Sequence, residues 1–142
     1  MPTERRFVFD TNVTVSALLL KRPIVRQAFD KAIDQGKLLV SQAIVEELNE
    51  VLRRKRFDKY LTEDERIEFI TALVREAALV EITDTVTECR DPKDNKVLEL
   101  AVSGKATCIV SGDDDLVVLH PFRGIPVLTP RQFLDYSWED AG

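Results

Sequence analysis

Histidine is almost absent from this chain, and cysteine nearly so. The 142 residues hold one histidine and two cysteines. Cys89 and Cys108 stand far apart, with no CxxC pair and no histidine beside them, so a zinc site has no ligand set to draw on. A cysteine or serine nucleophile activated by histidine has no support either, and His120 reads as an ordinary loop residue. Cys108 sits in an apolar run and reads as a small buried hydrophobe. Nothing else points to an oxidising compartment. No apolar run approaches the length needed to span a bilayer, and Met1 to Arg6 lead into too short an apolar stretch for a signal peptide, so the cytoplasm is the expected location. An excess of positive charge is missing too. The net charge of -5 is not the footprint of a protein that grips duplex DNA by bulk electrostatics, although a local basic patch can still steer an anionic substrate.

What is present is the composition of a folded domain. The chain is 44% hydrophobic and 32% charged, and its length suits one domain over residues 1–142, large enough to bury a core without disulfides or metal support. Short apolar runs alternate with helical patterns. Phe7-Val8-Phe9, Leu38-Leu39-Val40, Leu79 to Ile82, Cys108-Ile109-Val110 and Ile125 to Leu128 read as strands. Helices are expected from Val13 to Leu20, from Ile24 to Gln35 with Gly36 as C-cap, and from Ser41 to about Arg54. Others follow Thr62, whose spacing to Glu65 is that of a capping box, Asp91-Pro92, Gly112 and Pro130. The strands lack polar alternation, so both faces should be covered. That predicts an α/β fold with a parallel sheet and crossover helices, and a functional cleft beyond the carboxyl ends of the strands.

Acids fall where that cleft should be. Asp10 directly follows the first strand, and Asp113 follows the fourth by two residues. Each alone fits a helix N-cap, but two at equivalent places point to a site. Val97, Leu98 and Ala101 lie three, four and seven residues beyond Asp94, which places Asp94 on the apolar face of its helix. An inward carboxylate is costly unless paired or bound to metal, and Asp91 suits the capping role better. Glu46 shares a face with Gln42, Asn49 and Arg53 and should be solvated, whereas Glu47 shares its face with Ile44 and Val51. In Asp113-Asp114-Asp115 the first and third are the expected inward pair. Converging acids repel one another unless a cation such as magnesium or manganese relieves them, and such an ion supports phosphodiester hydrolysis without a covalent nucleophile.

The ordered set Phe9-Asp10-Thr11-Asn12-Val13, Ser41 to Leu48, Asp91-Pro92-Lys93-Asp94-Asn95 and Ser111 to Leu116 resembles the PIN-domain nucleases, in particular the toxins of bacterial and archaeal toxin–antitoxin pairs. The resemblance covers nearly the whole chain. It implies a three-layer α/β/α sandwich with a central parallel sheet and a magnesium- or manganese-dependent endoribonuclease acting on single-stranded RNA. It further implies that Asp10, Asp94 and Asp113 coordinate metal, that Glu47 ligates metal or orients the attacking water, and that Asn12, Ser111, Asp91 and Asp115 support them, with Asp115 a further metal ligand. An antitoxin protein and a homodimer are implied partners; a membrane is not. Ser111 stands where threonine is common, and Asp114 where many relatives carry a basic or neutral residue, a charge that should either weaken phosphate approach or favour tighter metal binding. For RNA contact, Arg53 and Arg54 in the densest basic stretch, with Tyr60 nearby, compete with Lys21, Arg22 and Arg26. The segment of Trp138 could dock an interface, but folding back on the core is the favoured expectation. The competing functions are a DNA nuclease or small-phosphoester hydrolase using the same acids, and an inactive RNA-binding or assembly module. Asn12 stands where a phosphatase would carry a second aspartate, and the inward Asp94 argues against a binding-only role.

Overall fold

The structure is a computed structural model that describes residues 4–137. Trp138 therefore lies outside the described residues. Five parallel strands form one sheet: β1 (Arg5–Phe9), β2 (Gly36–Val40), β3 (Ala78–Leu79), β4 (Cys108–Val110) and β5 (Val127–Leu128), in the order β3-β2-β1-β4-β5. The chain builds outward from β1 to β2 and β3 on one side, then returns to lay β4 and β5 on the other. The order reverses between β1 and β4, where Phe7 pairs with Cys108 and Phe9 with Val110. A crevice opens at such a switch point, at the carboxyl ends of the two strands.

Both faces of the sheet are buried, as the unbroken apolar runs require. Phe7, Phe9, Leu38, Val40, Cys108 and Val110 point to one side, packed under α1 (Thr11–Leu18), α2 (Pro23–Gln35), α4 (Glu63–Glu76) and α7 (Pro130–Asp135). Val8, Leu39, Ile109 and Val127 point to the other, covered by α5 (Asn95–Ser103) and α6 (Asp114–Val117). The third helix, α3 (Gln42–Leu52), contributes Leu48 and Val51 to the first cluster and Ile44 to the second. This is the expected three-layer α/β/α sandwich. Among the described residues no helix is long and apolar enough to cross a membrane.

The helix starts obey their local chemistry. Asp10 caps α1, accepting from Val13 N at 2.8 Å, and Ser41 caps α3, accepting from Ile44 N at 3.2 Å. The Thr62–Glu65 capping box forms, and a second one joins Thr129 to Gln132. Three expectations need correction. Gly36 does end α2, but its backbone is extended rather than left-handed; what it provides is room, since a Cβ there would lie 2.3 Å from the Arg5 carbonyl oxygen. The strand expected from Leu79 to Ile82 shortens to Ala78–Leu79, because β3 is an edge strand with one neighbour and Leu79 faces solvent. The helix expected to run on from Pro92 begins as a 3-10 turn over Pro92–Asp94, and Asp94 is the N-cap of α5.

Candidate metal centre

Backbone pairing beyond the strand ends brings the first acids together. Asp10 N donates to Val110 O at 3.1 Å, and Ser111 N donates to Leu128 O at 2.9 Å, so β1 and β4 carry Asp10 and Ser111 side by side into the crevice. The fully buried Ser111 hydroxyl donates to Asp10 Oδ2 and accepts from Asp113 N at 2.9 Å. One hydroxyl thus fixes both acids. Asp113 caps α6, accepting from Asp115 N at 2.9 Å.

Asp10 is buried, and desolvation pushes its pKa up to about 6 against the pull of its hydrogen bonds from Ser111 and Val13; Asp113 and Glu47 nearby add to the rise. Asp94 is likewise raised to about 6, first by desolvation, then by the charges of Asp113, Asp91 and Asp10. Its Oδ2 is buried and has no hydrogen-bond partner. Asp91, Asp94 and Asp115 each place a carboxylate oxygen within 4.8 Å of the others. Asp94 therefore shares a cluster with Asp91 and Asp115 and also feels the charges of Asp113 and Asp10.

A buried carboxylate oxygen without a partner is expensive, and like charges this close raise one another's pKa. A hard divalent cation with oxygen preference fits the donor set: carboxylates only, no soft ligand, one oxygen already desolvated and waiting. The charge cost has a measurable consequence. Asp10 and Asp94 bind protons more tightly in the folded than in the unfolded chain. Their contribution to stability is complete below the ordinary carboxylate pKa and disappears as the pH rises through about 6. In the metal-free protein, the denaturation midpoint should therefore rise as the pH is lowered from about 7.5 toward 5. Saturating manganese should abolish or invert that slope, because the ion competes with the protons. Urea titrations across this range, with chelator and with manganese, check it.

Glu47 projects from α3 at the edge of the buried stripe, and Glu46 faces solvent, as the spacing requires. Both Glu47 oxygens are engaged: Oε1 accepts from the Thr11 hydroxyl, and Oε2 accepts from Lys96 Nζ at 2.6 Å. Lys96 lies in the first turn of α5, two residues after Asp94. Arg90 similarly pairs with Asp115, its Nε lying 2.7 Å from Oδ1. Asp91 caps the 3-10 turn, accepting from Lys93 N at 3.2 Å. Sequence reading missed Thr11, Lys96 and Arg90. A lysine or arginine in a charged chain carries no local sign of an acid 49 or 25 residues away. Asp114 is exposed, and His120 accepts from Val127 N at 2.9 Å, bracing the approach to β5.

The basic candidates separate. Arg22 lines a groove that also reaches Asn12. Arg26 pairs with Asp30 and lines a different, largely apolar groove. Arg53 and Arg54 are exposed just past the end of α3, and Lys21 is exposed in the turn between α1 and α2.

An acidic crevice at the switch point of the parallel sheet is the site that this α/β/α fold presents. The chain matches the PIN domain family over residues 6–115, and it belongs to that family, whose members are generally nucleases. It is 28% identical over 140 residues to an uncharacterised protein of Methanocaldococcus jannaschii, covering 92% of this chain and 90% of that one. Its fold resembles VapBC2 of Rickettsia felis, solved bound to a DNA fragment from its promoter, with a TM-score of 0.62 at 11% identity over 87% of this chain and 98% of that one. It also resembles DNA-bound VapBC of Salmonella typhimurium, with a TM-score of 0.58 at 13% identity over 89% and 98%.

Proposed function

We propose that this protein is a divalent-metal-dependent endoribonuclease that hydrolyses phosphodiester bonds in single-stranded RNA, and that it acts as the toxin of a toxin–antitoxin pair. The observation that carries the reading is the buried, partnerless Asp94 Oδ2 among four other aspartates, in a chain of a nuclease family. Asp10, Asp94 and Asp113 are the proposed ligands for magnesium or manganese, with Asp91 and Asp115 adjoining them. When bound, such an ion supplies positive charge to the phosphate being displaced and lowers the pKa of the attacking water.

The chain's own residues do the rest. Ser111 and the Val13 amide hold Asp10 in one orientation. The Ser111 hydroxyl also ties Asp113 to it. Glu47, with both oxygens occupied, suits the orienting of water through its lone pairs better than direct ligation, and Thr11 and Lys96 keep it in place. The antitoxin assignment draws on the likeness to VapBC proteins. A groove of about 510 Å³ between α2 and α4, lined by Leu18, Phe29, Ile33 and Phe69 and by charges of both signs (Arg26, Lys37, Asp30, Glu76), offers a partner a largely apolar seat.

The runner-up, a DNA nuclease, uses the same acids, because metal chemistry does not distinguish the sugar. Purified protein incubated with labelled single-stranded RNA and DNA of one sequence, in manganese, magnesium or excess chelator, separates them. RNA alone should be cut, and chelator should stop it. Equal cutting of DNA would transfer the assignment to the runner-up, and cutting in chelator would remove the metal from it.

A further inference from the structure

Two cavities meet at α1. The first, about 460 Å³, is lined by Asp10 and Asp113 and includes Asn12 and Ser16. The second, about 420 Å³, begins at the same Asn12 and Ser16 and runs to Arg22, Arg56, Lys59 and Tyr60. Because they share Asn12 and Ser16, a cation-lined trough adjoins the acidic centre along α1. Among the described residues Arg22, Arg56 and Lys59 form no ion pair, whereas Arg26, Arg90, Lys96 and Arg123 each hold a carboxylate. What marks these three is that they line one groove together, a local positive patch in a chain of net charge -5. Asp58, in the same turn, does not line it.

The far end of the trough is built rather than loose. Phe57 is buried at 5% exposure and anchors a 3-10 turn over Lys55–Phe57. Tyr60 N donates to Phe57 O at 2.9 Å, which fixes Tyr60 beside it, with the two ring centroids 6.4 Å apart. Arg56 lies 4.7 Å from the Phe57 ring centroid, and Lys59 Nζ lies 5.2 Å from that of Tyr60. Tyr60 remains 43% exposed. On the other wall, Arg22 N donates to Ser16 O at 3.1 Å, holding Arg22 against α1.

We propose that this trough is the path of the nucleic-acid strand leaving the metal centre, with Arg22, Arg56 and Lys59 on successive phosphates and Tyr60 as a platform for one unstacked base. The proposal rests on the nuclease reading and deepens it. It selects single-stranded nucleic acid over duplex and over small phosphoesters. A paired and stacked base offers no free face to Tyr60, and a small phosphoester would leave the cations unused. The cations that matter are Arg56 and Lys59 in the 3-10 turn and the following loop, rather than Arg53 and Arg54 a few residues earlier.

The test is binding of a fluorescein-labelled single-stranded RNA of about a dozen nucleotides, enough to span several phosphates, followed by anisotropy in excess chelator so that no cleavage intervenes. The wild type, Arg56→Ala/Lys59→Ala, Tyr60→Leu and Lys105→Gln are compared over a range of salt. Lys105 precedes β4 and so sits toward the amino ends of the strands, away from the carboxyl ends that carry Asp10 and Asp113. Two lost phosphate contacts should lower the slope of log affinity against log salt by about 1.4. Losing one stacked base should weaken binding by about five-fold or more, with the salt slope unchanged. Lys105→Gln should match the wild type. Matching melting temperatures confirm that the substituted side chains, all exposed, left the fold intact.

Wild-type binding in both Tyr60→Leu and the double variant overturns the proposal, as does an equal loss in Lys105→Gln. A duplex of the same sequence that competes as well as the single strand also overturns it. The nuclease reading fails separately. If the wild type cuts RNA in manganese while these variants bind normally, the trough is wrong and the nuclease stands. If the variants lose binding while the wild type cuts nothing, the trough stands without the nuclease.

Discussion

Asp94→Asn should lose about 10³-fold in metal-dependent cleavage while making the metal-free protein more stable at pH 8. The first effect follows from the acids gathered around Asp94: Asp91 and Asp115 in one cluster with it, and Asp113 and Asp10 near enough to raise its pKa. Removing one preorganised group that holds charge against the reacting centre costs about 10²–10³ in rate, and a central ligand belongs at the upper end. The second follows from electrostatics. At pH 8 the Asp94 carboxylate is ionised, partly buried and repelled by Asp113 and Asp91. An asparagine of the same shape removes that repulsion and gives the buried position a donor. The melting temperature in chelator should therefore exceed that of the wild type, and manganese, which stabilises the wild type by binding its folded form, should leave the variant unmoved. Rates from gel-resolved cleavage and melting curves with and without manganese check both halves. Lost activity with a lowered melting temperature would mean that Asp94 serves the fold, not a metal.

Phe133→Ala should cost about 3–5 kcal/mol of unfolding free energy. Phe133 is fully buried at the centre of α7 and meets Phe7 edge-on at 5.2 Å and Phe9 at 5.9 Å between ring centroids. These are the side chains through which β1 faces the first core cluster, and Asp10 directly follows β1. A cavity there removes packing from the strand that aims the first aspartate. Since a domain of this kind is stable by only about 5–15 kcal/mol, the loss is a large share of the total. A urea titration should show a lowered midpoint with little change in slope. A loss below about 1 kcal/mol would be that of a surface substitution and would place α7 outside the cooperative core.

Much of this architecture was legible because its causes are local or periodic. Unbroken apolar runs marked strands buried on both faces, and Ser41, Thr62 and Glu65 marked helix starts by their own hydrogen bonding. The reach of Asp10 and Asp113 into the crevice followed from their distance past the strand ends. The separation of Glu47 from Glu46 followed from helical spacing. The inward face of Asp94 survived the change from helix interior to N-cap, because its backbone stays right-handed helical and Val97, Leu98 and Ala101 are buried beyond it. The pairings of Lys96 with Glu47 and Arg90 with Asp115 were not legible, since they join residues far apart in the chain. Nor was the orientation of Arg56 and Lys59, because a 3-10 turn followed by a loop has no period to extrapolate. The length of β3 depends on its having one neighbour instead of two, which only the assembled sheet decides.

The central claim is that these aspartates hold a divalent cation, and calorimetric titration of manganese into the chelator-stripped protein at pH 7.5 tests it most directly. The wild type should bind with measurable heat, bind more weakly at pH 5.5 as Asp10 and Asp94 take up protons, and show no binding once Asp94→Asn is introduced. A wild type that binds no manganese at pH 7.5, or an Asp94→Asn variant that binds it equally well, would contradict the account.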